Sequence, residues 1–286
     1  MINTLVRPAD SSDHQQLSNL IFFETHLHRH LDWRSPLDWL GDRFFWALEE
    51  GSRITAALAC PFETGHIGWV RLFVHAAGWS AGNAWDLLWH TAKEDIAQAS
   101  GANGAVIGAI AMQPWFQNVL AASGFENSQA IVMLEWRYQP WAKVEAEGIR
   151  IRTMTEADLP HVEQTDAASF EPLWHNPLST LKNAFAQSLI GTVVEDDGGI
   201  AGYQLTTGSG RHAHLARLAV HPRAQGRGAG RLLVGDLFAK LTSHGIGRLS
   251  VNTQSDNFVS LRLYERMGFV RTGDQYPVYT FEVAAA

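Results

Sequence analysis

Three glycines at alternate positions carry the strongest chemical signal in the chain. The apolar run Leu218, Ala219, Val220 ends at His221-Pro222, and Gln225-Gly226-Arg227-Gly228-Ala229-Gly230-Arg231 follows, opening an amphipathic stretch that reads as a helix. Glycine lets backbone N–H groups turn outward and lets a ligand come close. A helix start adds unpaired N–H donors and partial positive charge. Such a loop suits a phosphate or diphosphate, and Arg223, Arg227 and Arg231 surround it with positive charge. The spacing differs from the dinucleotide fingerprint Gly-x-Gly-x-x-Gly, and no Gly-Lys-Ser/Thr follows, which excludes a nucleotide-hydrolysing P-loop.

The elements that position this loop alternate between strand and helix. The sequence predicts strands over 149–152, 192–195, 202–206, 212–220, 248–252 and 276–283. It predicts helices after Thr155, a plausible N-cap, and over 178–189, 231–244 and 257–267. The first half repeats this order. Leu5 to Asp13 resembles Ile151 to Asp158, Leu72-Phe73-Val74-His75 matches Leu218 to His221, and Leu120 to Phe125 matches Tyr264 to Phe269. The offsets at these three points lie between 144 and 146 residues, which argues for an internal duplication. The expected organisation is an α/β fold in two copies, 1–138 and 149–286, joined by a linker at 139–148.

Composition bounds the function. The 286 residues carry 22 Lys+Arg against 29 Asp+Glu, a formal charge of −7 that gives no support for nucleic-acid binding. Cys60 is the single cysteine, so no intrachain disulfide forms and a reducing cytoplasm is the expected compartment. No apolar run is long enough to span a bilayer, and the amino-terminal residues lack the pattern of a signal peptide. His26, His28 and His30 with Glu24 could suggest a metal site on a helix; a polar helix face is the preferred reading, and no metal is expected.

Two motifs together resemble the GNAT superfamily of acyl-CoA-dependent N-acyltransferases. One is Gln225-x-x-Gly228-x-Gly230; the other is Asn257, then Tyr264, then Gly268-Phe269. The resemblance is strong over 149–283 and weak over 5–137. It implies a mixed α/β sheet that splays in the middle, with acyl-CoA in the gap, and direct transfer of the acyl group to an amine. The expected cofactor is acetyl-CoA. Its expected contacts are Leu218, Ala219 and Val220 through the main chain, the loop from Gln225 through Gly226, Arg227, Gly228, Ala229 and Gly230 to Arg231, and Asn257, which is equally apt as a helix N-cap.

Aminolysis of a thioester needs a neutral amine, donors for the developing oxyanion, and a proton for the leaving thiolate. Tyr264 resembles the family's general acid, and His214 falls where several members carry a base. Strict alternation along the strand would put His212, His214, Ala216, Leu218 and Val220 on one face. Ser250 stands where related ribosomal-protein N-terminal acetyltransferases usually carry Glu, a departure that argues against carrying over their substrate. His212, Ser250, Glu171, Trp174 and the neighbouring His175 are the candidates for the acceptor side.

In the first copy Trp79 replaces Gln225, Ser80 replaces Gly226, Ala81 replaces Arg227, Trp85 replaces Arg231, Gln113 replaces Asn257 and Leu120 replaces Tyr264. That copy is expected to be catalytically degenerate, with Gly82 and Ala84 leaving room for residual CoA binding. The expected activity is N-acetyl transfer to a primary amine of a small molecule, peptide or protein, without nucleic-acid or membrane partners. The alternative is a non-catalytic acyl-CoA-binding or sensing protein.

Overall fold

The computed structural model describes residues 4–30, 32–142 and 144–285. The first stretch of chain forms β1 (Thr4–Pro8), α1 (His14–Phe23), β2 (Leu27–Arg29), β3 (Phe45–Glu50), β4 (Arg53–Ala59), β5 (Phe62–Thr64), β6 (Ile67–Trp69), β7 (Leu72–His75), α2 (Ala81–Ser100), β8 (Ala105–Ile110), α3 (Pro114–Ala122) and β9 (Glu126–Arg137). The remainder forms β10 (Arg150–Thr153), α4 (Leu159–Ser169), α5 (Leu178–Gln187), β11 (Ile190–Asp196), β12 (Gly199–Ser209), β13 (His212–Val220), α6 (Ala229–Ser243), β14 (Arg248–Gln254), α7 (Phe258–Arg266) and β15 (Val270–Val283).

Two compact units result. One comprises the described residues up to Gln129 together with those from Tyr276 onward; the other is Ala130–Gln275. In the second unit the strand order is β10-β11-β12-β13-β14-β9, with β13 and β14 parallel and the other neighbours antiparallel. The first unit contains the order β1-β3-β4-β7-β2, and separately β15-β8-β6-β5. The contacts therefore do not divide the chain at 139–148, as the sequence suggested. β9 comes from the first half of the sequence yet pairs with β14 through Ile131–Arg137. The last strand, expected to close the second copy, pairs with β8 through Val278–Val283. Each half thus gives its closing strand to the other unit. The 139–148 segment follows β9 into the second unit, where Trp141 packs on Phe238 and Val144 on Gly235.

The duplication is physical as well as textual. Arg7 binds Asp13 bidentately at 2.7 and 2.8 Å, and Arg152 binds Asp158 at the same distances. Each aspartate also accepts from the main chain at the start of its helix, from Asp10 and Thr155 respectively. The paired arginine holds the Asp13 carboxyl below the usual carboxylate range, and does the same to Asp158. At the far end of each copy Phe125 N–H donates to Leu120 O, and Phe269 N–H to Tyr264 O, both at 3.0 Å.

The core of the second unit packs β13, β14 and β9 against α6 and α7 through Leu215, Val234, Leu237, Phe238, Leu249 and Leu261, among others. Burying these side chains supplies the main driving force for placing α6 under the sheet. Gly230 permits close approach of α6 to α7, since a Cβ there would lie 3.0 Å from a Leu263 methyl.

Candidate active site

The glycine loop leaves β13, makes a single 3₁₀ turn at Pro222–Ala224, and enters α6 at Ala229. Gly226 and Gly228 have φ of 76° and 91°, the left-handed region that side chains disfavour. Gly228 is the N-cap of α6, and no side chain caps this helix. The first helical bond from the loop is Leu232 N–H to Gly228 O, at 2.9 Å. Among the described residues, the N–H groups from Gly226 to Arg231 have no hydrogen-bond partner. Six adjacent donors at a helix start form an anion cradle.

The surrounding charges are arranged unequally. Arg223 and Arg227 reach the Asp196 carboxylate at 3.3 and 3.1 Å. Burial pushes that carboxyl up, but the Gly198 N–H and the two guanidiniums outweigh it and hold it below the ordinary range. Arg231 is exposed and has no ion-pair partner among the described residues. The Gln225 side chain turns back to donate to Val220 O at 3.0 Å. Asn257 is the N-cap of α7, its side chain accepting from Ser260 N–H at 3.1 Å, so the capping alternative describes its contact here.

β13 contains a bulge that the sequence did not announce. Leu205 faces Arg217 across the ladder, whereas Thr206 faces Leu215, leaving Ala216 extra. Such a bulge reverses the side-chain alternation beyond it. His212 and His214 therefore share their face with Arg217 and Ala219, and Leu218 and Val220 lie on the opposite face with Ala213 and Leu215. The single face expected for His212, His214, Ala216, Leu218 and Val220 is corrected accordingly. The same break limits the pairing of β13 with β14 to His212–Leu215 against Arg248–Val251. From Ala216 to Val220, no strand of the described residues pairs with that edge.

His214 and Ser250 are in register on β13 and β14, with Nδ1 2.9 Å from the serine Oγ. The Ser250 Oγ also lies 3.3 Å from Ala213 O. Burial pushes the His214 imidazole below its ordinary value, with the Asn252 side chain opposing. His212 is exposed, in register with Arg248. Tyr264, only 4% exposed, packs beside Phe269 on α7, and burial pushes its phenol above its ordinary value while the Arg217 charge opposes the shift. Glu171 is exposed in the turn after α4 and its side chain enters no ion pair among the described residues.

Sequence reasoning missed a buried polar cluster on the His214 face of the sheet. Asp166 on α4 is fully buried. It accepts from Arg217 Nε and Nη2 at 2.8 Å each, from Tyr203 Oη at 2.5 Å and from Asn176 N–H at 2.8 Å. The Arg217 guanidinium also donates to Trp174 O at 2.6 Å and lies 3.6 Å from the Phe170 ring centroid. This cluster ties the α4–α5 connection to β13. Trp174 enters the site through its carbonyl. Local patterning cannot reveal a pair 51 residues apart; a lone Asp on the apolar side of α4 is the one available signal.

The corresponding loop of the first unit is closed on itself. Ser80 caps α2 by accepting from Asn83 N–H at 3.1 Å. The Trp79 indole donates to Glu50 and Thr55 at 3.3 and 3.1 Å. Leu120 is fully buried at the place of Tyr264, and the Gln113 side chain accepts from the Trp115 indole. His26, His28 and His30 lie around strand β2 and not on a helix, and no group of described residues is arranged to hold a metal ion.

The second unit thus has an open strand edge beside an uncapped, glycine-opened helix start. Residues 154–269 match the acetyltransferase (GNAT) family. The fold is shared along nearly the whole chain with a GCN5-related N-acetyltransferase from Sphaerobacter thermophilus, at 16% identity and a TM-score of 0.66, covering 99% of this chain and 96% of that one. A tandem GNAT protein from the clavulanic acid biosynthesis pathway matches at 16% identity and a TM-score of 0.66, covering 99% of this chain and 100% of that one. A probable N-acyltransferase from Enterococcus faecalis matches at 9% identity and a TM-score of 0.72, covering 99% of this chain and 73% of that one. No helix among the described residues is long and apolar enough to cross a membrane.

Proposed function

We propose that the second unit transfers an acetyl group from acetyl-CoA to a primary amine, of a small molecule or a peptide, by direct attack in a ternary complex in the cytoplasm. The observation that carries this reading is the run of unpartnered N–H groups from Gly226 to Arg231 at the end of an open strand edge. Those donors suit the diphosphate, Arg231 adds charge, and the edge from Ala216 to Val220 suits the amides of the pantetheine arm. Bound acetyl-CoA would supply a thioester carbonyl with a good leaving group.

The chain's own residues then have three tasks. Main-chain N–H groups within Leu218–Val220 donate to the oxygen as charge develops on it. His214 takes the proton released by the amine. With the Ser250 hydroxyl proton on Ala213 O, the His214 Nδ1–H donates to Ser250 Oγ, which leaves Nε2 with the free lone pair. Its lowered pKa keeps it in the basic form at neutral pH. Tyr264 gives a proton to the departing sulfur, and its raised pKa keeps the phenol protonated across the neutral and alkaline range. The amine nitrogen thus gains the acyl carbon, the carbon–sulfur bond breaks, and one proton is taken up by His214 as another leaves Tyr264.

The test is acetyl-CoA-dependent release of free thiol across a panel of primary amines, run beside calorimetric titration with CoA. Turnover with binding supports the proposal. Tight binding with no thiol release on any amine favours the non-catalytic sensor, and absence of binding removes both.

A further inference from the structure

The edge left open in the second unit is occupied in the first. β7 is the counterpart of the end of β13, Leu72 to Val74 standing at the positions of Leu218 to Val220. One edge of β7 pairs with β4, as that of β13 pairs with β12. Along its other edge runs β2, antiparallel, with Leu27 opposite Val74, His28 opposite Phe73 and Arg29 opposite Leu72. Two further main-chain bonds extend the match, His30 N–H to Arg71 O at 3.0 Å and His75 N–H to His26 O at 3.4 Å. Five residues, His26 to His30, therefore lie along this edge.

Side chains hold the segment in place. His28 is 3% exposed, its Nε2 lies 3.1 Å from Val70 O, and its ring stacks on Phe116 of α3 at 4.0 Å between centroids. The His26 ring stacks on that of His75 at 4.8 Å. Leu27 packs against the core that contains Leu72 and Val74. At the neighbouring helix start, Ser80 already satisfies the Asn83 N–H.

We infer that His26–His30 is a built-in occupant of the first unit's groove, so that the protein holds one acyl-CoA per chain, in the second unit. The inference rests on the reading given under Proposed function. A strand edge has one set of outward N–H and C=O groups, and an antiparallel peptide and an extended amide-bearing arm compete for it. Here the peptide is tethered, buried and stacked, so the competition is intramolecular and favours it. The degeneracy of the first unit thus extends beyond lost side chains to a filled site.

Calorimetric titration of the full chain with CoA gives the stoichiometry, and amide hydrogen exchange with and without CoA gives the place. The expected result is one CoA per chain, new protection within Ala216–Val220 and Gly226–Arg231, and unchanged, already slow exchange in Leu27–Arg29 and Leu72–His75. Two CoA per chain, or altered exchange in β2 and β7, overturns the filled groove while leaving the second-unit reading intact. One CoA with protection confined to the first unit overturns both. No heat and no protection with CoA up to millimolar concentration also overturns both, and is distinguished by the absence of any site.

Discussion

Arg217 is the residue whose replacement tests the site's architecture most directly. Its guanidinium neutralises Asp166, a carboxylate with no exposed surface, and also donates to Trp174 O. In Arg217→Met the side chain keeps much of its bulk, but Asp166 retains only the Tyr203 hydroxyl and the Asn176 N–H as donors. Breaking a buried pair by removing one partner costs about 3–5 kcal/mol, because the remaining charge is uncompensated. The expected loss is therefore about 3–5 kcal/mol. Urea unfolding followed by far-UV circular dichroism measures it. The double variant Arg217→Met/Asp166→Leu removes both charges, and should be more stable than the single one by roughly 1–3 kcal/mol, since neither partner is left charged and unpaired. A single-variant loss below about 1 kcal/mol, or a double variant less stable than the single, would refute the view that Arg217 acts by neutralising Asp166.

Three further outcomes follow from the same geometry. Tyr264→Phe should lower kcat by about 10²-fold or more with the CoA dissociation constant little changed, because the hydroxyl is asked only to donate a proton; unaltered kcat in steady-state thiol release removes it as the acid. In the wild type, kcat/KM should rise with pH through a midpoint below 6.5, because burial depresses His214 and activity needs its neutral form; in His214→Gln that acid limb should vanish, and an identical profile would assign the base elsewhere. His28, pushed down to about 4 by burial, stabilises the first unit fully above its unfolded value of 6.5 and loses that contribution as pH falls toward 4, about 3 kcal/mol in all; urea midpoints that stay level between pH 7 and 4.5 would contradict a buried neutral imidazole.

Local chemistry was legible in the sequence, and long-range pairing was not. The glycine spacing marked the loop before α6, where Gly226 and Gly228 have positive φ, and the three offset matches marked the duplication. The bulge at Ala216 was not legible, because an apolar run reads the same with or without an extra residue. That one residue moves Leu218 and Val220 away from the face of His214. The histidines at 26, 28 and 30 show a two-residue period, the mark of a strand, yet the stretch is too short for the period to exclude a helix. The strand exchange was hidden for a different reason. Residues 126–137 and 270–283 are both strands, of which the sequence marked only 276–283, and nothing in a strand's own pattern names the strand it will join.

The two units separate what the fold requires from what the chemistry requires. Both keep the bidentate arginine–aspartate lock, with Arg7–Asp13 in one and Arg152–Asp158 in the other. Both also place a buried or half-buried arginine at the break of the central strand, where Arg71 meets Asp32 and Glu63, and Arg217 meets Asp166. These pairs stabilise the frame of each unit, since a buried charge left without its partner costs about 3–5 kcal/mol. The main-chain donors at the helix start and along the strand edge answer to another constraint. No protein group among the described residues of the second unit pairs with them. In the first unit Ser80 takes up one helix-start donor and β2 pairs along the strand edge; in the second, no described residue pairs with either set. Where duplicated units share a frame, accounting for the main-chain hydrogen bonds therefore tells the binding unit from the structural one, before any side-chain comparison is made.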